Sequence, residues 1–130
     1  MSAVHLDTHV VARLYLRLDN GIGKRARALI ARSSRLVISP LVLIELDDLI
    51  TIGRIKVPSA ETIIDELSER LEPVTVSTAS LADIVAEARG IGWTRDPMDR
   101  LIVAGAMADR ARLATADEKI RANFKDAVWD

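Results

Sequence analysis

Apolar and polar positions along this chain follow two rhythms. Short apolar runs recur at Ala3-Val4-His5-Leu6, Leu36-Val37-Ile38, Val74-Thr75-Val76, Leu113-Ala114 and Ala127-Val128, each the length of a buried strand. Longer stretches between them repeat their apolar residues every three to four positions, as an amphipathic helix does. The pattern predicts strands near 3–7, 35–38, 73–76, 112–115 and 127–129, and helices near 8–18, 22–33, 40–52, 59–71, 78–89, 97–110 and 117–122. Such alternation predicts an α/β fold, a three-layer α/β/α sandwich with a central, mainly parallel sheet. Local punctuation agrees with it. Ser39-Pro40 and Asp96-Pro97 each place a capping side chain before a proline at the first helical position. Ser59 and Thr78 read as further caps, Asp19-Asn20-Gly21 as a turn, and Gly53 as the stop of the third helix.

Composition narrows the class. A length of 130 residues, 49% hydrophobic and 28% charged, fits one globular domain spanning 1–130. Aromatic residues are only 3%, so the core must be built from Val, Ile, Leu and Ala. There is no cysteine, which excludes disulfides, thiolate zinc sites and cysteine nucleophiles. No apolar segment approaches the length of a membrane span, and the N-terminus lacks the basic stretch of a signal peptide. A cytoplasmic protein is expected.

The net charge of −1 conceals an imbalance. Residues 8–44 carry Arg13, Arg17, Lys24, Arg25, Arg27, Arg32 and Arg35 against Asp19 alone, a balance of +6. Residues 45–99 carry five basic and twelve acidic residues, a balance of −7. Such a contrast could hold a polyanion over an acidic site. Taken alone, the basic residues read as solvated helix faces.

Four carboxylates stand out against the apolar pattern. Asp7 ends the first strand, and Asp117 lies just past the fourth. Glu45 falls four residues from both Leu41 and Leu49, in the middle of an apolar stripe. Asp99 shares a helix face with Ile102, Val103 and Ala106. Each has a bland alternative: Asp7 and Asp117 could cap helices, Glu45 could pair with an arginine, and Asp99 could favour the positive end of its helix. Asp96 is best explained as the cap of that helix. In an open parallel sheet, ligands bind at the carboxyl ends of the strands. Asp7, Glu45 and Asp117 map to that edge, and Asp99 is within reach of it. Carboxylates so placed repel one another until a hard cation, Mg²⁺ or Mn²⁺, neutralises them. Such a cation would activate water and screen phosphate oxygens, as phosphodiester hydrolysis needs. Thr8 and Thr115 could support the site with hydroxyls, and Arg100 could orient an acid or contact phosphate. His5 and His9 read as packing or surface residues, Trp93 and Trp129 as gap fillers.

The segments Leu6-Asp7-Thr8-His9, Ser39-Pro40-Leu41-Val42-Leu43-Ile44-Glu45-Leu46, Trp93-Thr94-Arg95-Asp96-Pro97-Met98-Asp99-Arg100-Leu101 and Leu113-Ala114-Thr115-Ala116-Asp117 resemble the PIN-domain ribonucleases, most nearly the VapC-like toxins. The block around Asp99 is the most specific of them. The resemblance implies that Asp7, Glu45, Asp99 and Asp117 form the acidic quartet, both catalytic and metal-binding, with Thr115 as the hydroxyl residue beside the last acid. It further implies an endoribonuclease toxin, inhibited by a small DNA-binding antitoxin and often homodimeric. A non-catalytic RNA- or protein-binding module is the main alternative. A phosphatase with Asp7 as nucleophile is less favoured, because the second aspartate it needs two positions on is His9.

Overall fold

The computed structural model describes residues 3–130. Five strands, β1 (Ala3–Leu6), β2 (Arg35–Ile38), β3 (Val74–Val76), β4 (Arg112–Ala114) and β5 (Ala127–Val128), form one sheet in the order β3-β2-β1-β4-β5. Every pairing is parallel. Seven α-helices connect them: α1 (Thr8–Tyr15), α2 (Lys24–Arg32), α3 (Pro40–Thr51), α4 (Ala60–Arg70), α5 (Leu81–Ala88), α6 (Pro97–Ala108) and α7 (Glu118–Asn123). Neighbouring residues of a strand point to opposite faces. His5 lies against α6, while Val4 shares a cavity wall with Leu29 and Arg32 of α2. Helices therefore cover both faces of the sheet, giving the three-layer arrangement. The strands read as continuous apolar runs because both their faces are buried: Val4, Leu6, Leu36, Ile38 and Leu113 are almost inaccessible.

The topology selects one edge. From β1 the chain moves outward through β2 to β3, then returns to the other side of β1 for β4 and β5. The order reverses between β1 and β4, so a crevice opens beyond their carboxyl ends. Asp7 follows β1 there, and Thr115, Ala116 and Asp117 follow β4.

The predicted caps largely hold. Ser39 accepts from the Leu41 amide, Ser59 from Thr62, and Asp96 from both Met98 and Asp99. Gly53 has φ +82°, the left-handed geometry expected after a helix end. Two expectations need correction. The first helix stops at Tyr15 and not near 18, because Arg17 adopts φ +58° and a 3₁₀ turn follows at Asp19–Gly21. The apolar spacing of Leu14 and Leu18 continues past that stop, which hid it from the pattern. Thr78 is not a cap. Ser80 caps α5 by accepting from the Asp83 amide at 3.0 Å, with an acid at the third helical position.

Candidate active site

The crevice holds a cavity of about 610 Å³. Asp7, Glu45, Asp99 and Asp117 all line it, from four separate segments of the chain. Asp48, one turn beyond Glu45 on α3, adds a fifth carboxylate, and Thr8, His9 and Arg13 of α1 supply the wall between β1 and α3.

Asp7 is the most constrained of the acids. It is buried, and one oxygen (Oδ1) caps α1 by accepting from the Thr8 amide at 2.8 Å. The other, Oδ2, accepts from the Thr115 hydroxyl at 2.7 Å. Thr115 is completely buried, and its Oγ1 also accepts from the Asp117 amide at 3.1 Å. One hydroxyl thus locks the end of β1 to the start of the loop after β4. Asp117 caps α7 through Oδ1, which accepts from the Ile120 amide at 2.9 Å. Capping and site membership are not alternatives for Asp7 and Asp117, since a cap occupies only one oxygen of each carboxylate.

Glu45 lies half-buried on the edge of α3; the fully buried stripe of that helix is Val42 and Leu46, so the sequence placed Glu45 one face too deep. Its Oε1 accepts a hydrogen bond from the Thr8 hydroxyl. Burial raises its carboxyl above the ordinary range; Asp7, Asp96 and Asp48 add to this, and the Thr8 hydroxyl partly opposes it. Asp99 is pushed up to about 6, by burial first and then by the negative charges of Asp96, Asp117, Asp7 and Glu45. The four acids therefore feel one another, as members of a shared site must. Among the described residues, no three carboxylate or imidazole groups stand close enough together to enclose an ion. Asp7, Glu45 and Asp117 each accept from donors of their own.

The remaining sequence candidates divide. Asp96 does not line the cavity and serves as the cap of α6. Arg100 is not brought to the site. Its guanidinium turns toward α5 and donates to the Ala88 carbonyl at 2.9 Å, while its Nε is buried without a partner. His9 is brought there, against expectation. Its Nε2 accepts from the Ala116 amide at 2.8 Å. A backbone N–H can only donate, so the proton of the neutral ring sits on Nδ1, which faces Asp7 Oδ2 at 3.8 Å. Burial lowers the His9 pKa; Asp7 and Asp117 oppose that shift, and Arg13 reinforces it. Trp129 meets the His9 ring edge-on at 5.7 Å between centroids. The missed signal was spacing: His9 and Arg13, four residues apart, lie on one face of α1, and Glu45 and Asp48, three apart, lie on one face of α3.

The PIN-domain family model matches residues 4–125, nearly the whole chain. The chain belongs to the PIN-domain family. Solved structures with this PIN fold include a toxin–antitoxin complex from Klebsiella pneumoniae (TM-score 0.65, 19% identity, covering 96% of this chain and 95% of the other). Another is VapBC2 from Rickettsia felis bound to a DNA fragment from its promoter (TM-score 0.59, 20% identity, covering 98% and 99%). At these identities the likeness is one of fold. No curated protein sequence matches the chain. Among the described residues, no helix is long and apolar enough to cross a membrane.

Proposed function

We propose that this PIN domain is a metal-dependent endoribonuclease and the toxin of a toxin–antitoxin pair. PIN domains are in general nucleases, and the observation that carries the reading here is the convergence of Asp7, Glu45, Asp99 and Asp117 on one cavity at the sheet's switch point. An all-oxygen donor set with excess negative charge suits Mg²⁺ or Mn²⁺. Asp7 and Asp99 are the first candidates to hold the ion, with Glu45 and Asp117 completing the set. Such an ion, when bound, supplies Lewis acidity that screens phosphate oxygens and makes water a better nucleophile. The chain's own contribution is alignment. Thr115 fixes the inner oxygen of Asp7, Thr8 orients Glu45, and the caps at Asp7 and Asp117 tie both carboxylates to rigid helix starts.

The proposed partners are supported by the solved structures that share the fold. Both are toxin–antitoxin assemblies, which supports a cognate small DNA-binding antitoxin for this chain. Exposed Leu16, Leu18, Ile44 and Ile52 on and beyond α1 and α3 offer apolar surface for such a partner or for a homodimer. RNA is the substrate class, cleaved in the cytoplasm.

Replacing Asp7 or Asp99 by Asn should abolish RNA cleavage, a loss of more than about a hundredfold, with the circular dichroism of the folded protein retained. An excess of chelator should do the same to the wild type. Full cleavage in either variant, or in chelator, would sink the reading. The second reading, a non-catalytic RNA- or protein-binding module, is favoured by one observation: no three of the acids converge on a point among the described residues. Tight RNA binding without turnover in saturating Mn²⁺ would select it.

A further inference from the structure

The acidic cavity poses an electrostatic problem for any polyanionic substrate. Among the described residues, five carboxylates line it, and Arg13 is the one lysine or arginine that does. Arg13 also lines an adjoining cavity of about 240 Å³, which no carboxylate lines among the described residues; Arg54, Leu16, Leu49 and Ile55 line it too. The two cavities share His9, Arg13 and Leu49, so Arg13 stands at their junction.

Its guanidinium is held in place without an acid. Nη1 donates to the Gly21 carbonyl at 2.8 Å. The guanidinium carbon lies 5.7 Å from the centre of the Trp129 ring, within cation–π range. Trp129 is itself fixed. Its carbonyl accepts from the Ala26 amide at 2.9 Å, and it passes so close to Gly23 that a Cβ there would come within 2.2 Å of the carbonyl oxygen. Trp129 also meets His9, whose ring is anchored on Ala116. A long, flexible side chain has thus been pre-organised by one carbonyl and one indole ring, neither of which neutralises its charge. Five carboxylates line the same cavity, yet among the described residues none of them forms an ion pair with Arg13.

We propose that Arg13 is a phosphate-binding residue that seats single-stranded RNA across the junction of the two cavities, with Trp129 as the residue that positions it. The inference rests on the ribonuclease reading and deepens it. The acidic cavity takes the phosphodiester to be cleaved, and Arg13 holds a neighbouring phosphate, offsetting the repulsion that the acids exert on the strand. Its free N–H groups form the charge-assisted, geometrically fixed contacts that guanidinium makes to phosphate.

The test uses the full chain in an Asp7→Asn background, so that RNA is bound but not cut. The probe is a fluorescein-labelled pool of randomised 12-mer oligoribonucleotides, followed by anisotropy between 50 and 200 mM salt. Arg13→Gln should weaken binding about tenfold and flatten the dependence of log K on log salt by about 0.7, the loss of one phosphate contact to a single strand. Arg13→Lys should keep the slope while losing affinity severalfold. Trp129→Leu should behave as Arg13→Lys does, because it displaces the charge without removing it. In the cleaving protein, Arg13→Gln should fall mainly on KM. A wild type that cleaves RNA while Arg13→Gln leaves affinity and slope unchanged would overturn this inference and leave the ribonuclease reading standing. A wild type that neither binds nor cleaves RNA would overturn both.

Discussion

Asp99 and Asp109 lie at opposite ends of α6, and each is shifted against the helix's own field. Asp99 occupies the third position of the helix, where the positive end of the macrodipole favours a negative charge. Its carboxyl is nonetheless pushed up to about 6, because it is partly buried and faces Asp96, Asp117, Asp7 and Glu45. Asp109 is the C-cap, where the dipole opposes a negative charge. Burial would raise it further, yet it sits below the ordinary aspartate range. Hydrogen bonds from Ser77 at 2.6 Å and His5 at 2.7 Å outweigh both effects. Immediate neighbours, not position in the helix, decide each case. At one end the fold supplies donors to a carboxylate. At the other, among the described residues, it supplies none and adds like charges, an arrangement that costs stability.

The contrast can be broken most strongly at the satisfied end. Asp109→Ala removes the acceptor of a buried imidazole, since His5 is almost inaccessible and, among the described residues, its Nε2 has that one partner. The loss should be about 2 kcal/mol in denaturant unfolding, the usual penalty for an orphaned buried donor. RNA cleavage by the protein that remains folded should not change. A variant as stable as wild type would mean that the network at this end is ornamental. His5 adds a pH signature. Burial holds its pKa below 6.5, so on acidification the unfolded chain takes up a proton that the folded chain refuses. The His5 contribution to stability should therefore be at its full value above about pH 6.5 and fall below it, and the difference between wild type and His5→Phe should show that limb.

At the other end the expected sign is reversed. Between 3.8 and about 6 the folded state holds a proton on Asp99 that the unfolded state has released, so ionising this group opposes folding as pH rises through that window. Asp99→Asn should consequently raise stability at pH 7 without divalent cation. The gain should be about 1 kcal/mol, the full shift being discounted for the solvent that still reaches the side chain. It should vanish at pH 3.5. Mn²⁺ should stabilise the wild type by mass action and leave the variant unmoved. An Asn variant less stable than wild type at pH 7 would show that Asp99 has a structural partner and that the two ends of α6 are built alike.

How much of this could be read from the residues depends on the kind of signal. Strand and helix order was legible because burial imposes periodicity, and caps such as Ser39-Pro40 and Asp96-Pro97 carry their geometry in two residues. The four acids were legible for the opposite reason: each breaks the apolar pattern at an element's end. Arg100 misled, because adjacency to Asp99 in sequence places it about a hundred degrees round the helix, facing α5. His9 was undervalued, since its role depends on the Ala116 amide and on Trp129, both contributed from the far end of the chain. The Ser77–Asp109–His5 cluster left no trace for the same reason. It joins β1, the end of β3 and the end of α6, and only the sheet order brings those together.

That cluster supplies the finest test of the contrast. Ser77→Ala deletes one of the two hydrogen bonds that oppose burial and the helix dipole at Asp109, while leaving the His5 contact in place. Because Ser77 and Asp109 are partly solvated, the cost should be no more than about 1 kcal/mol. The informative readout is the carboxyl titration of Asp109 by NMR, which should move up toward the ordinary aspartate range. If it stays low, the His5 hydrogen bond with the charge of Arg35 overcomes both opposing effects, and the Ser77 donor is dispensable. If it rises, donors act cumulatively, and Asp99, which is given none among the described residues, is left with burial and like charges unopposed.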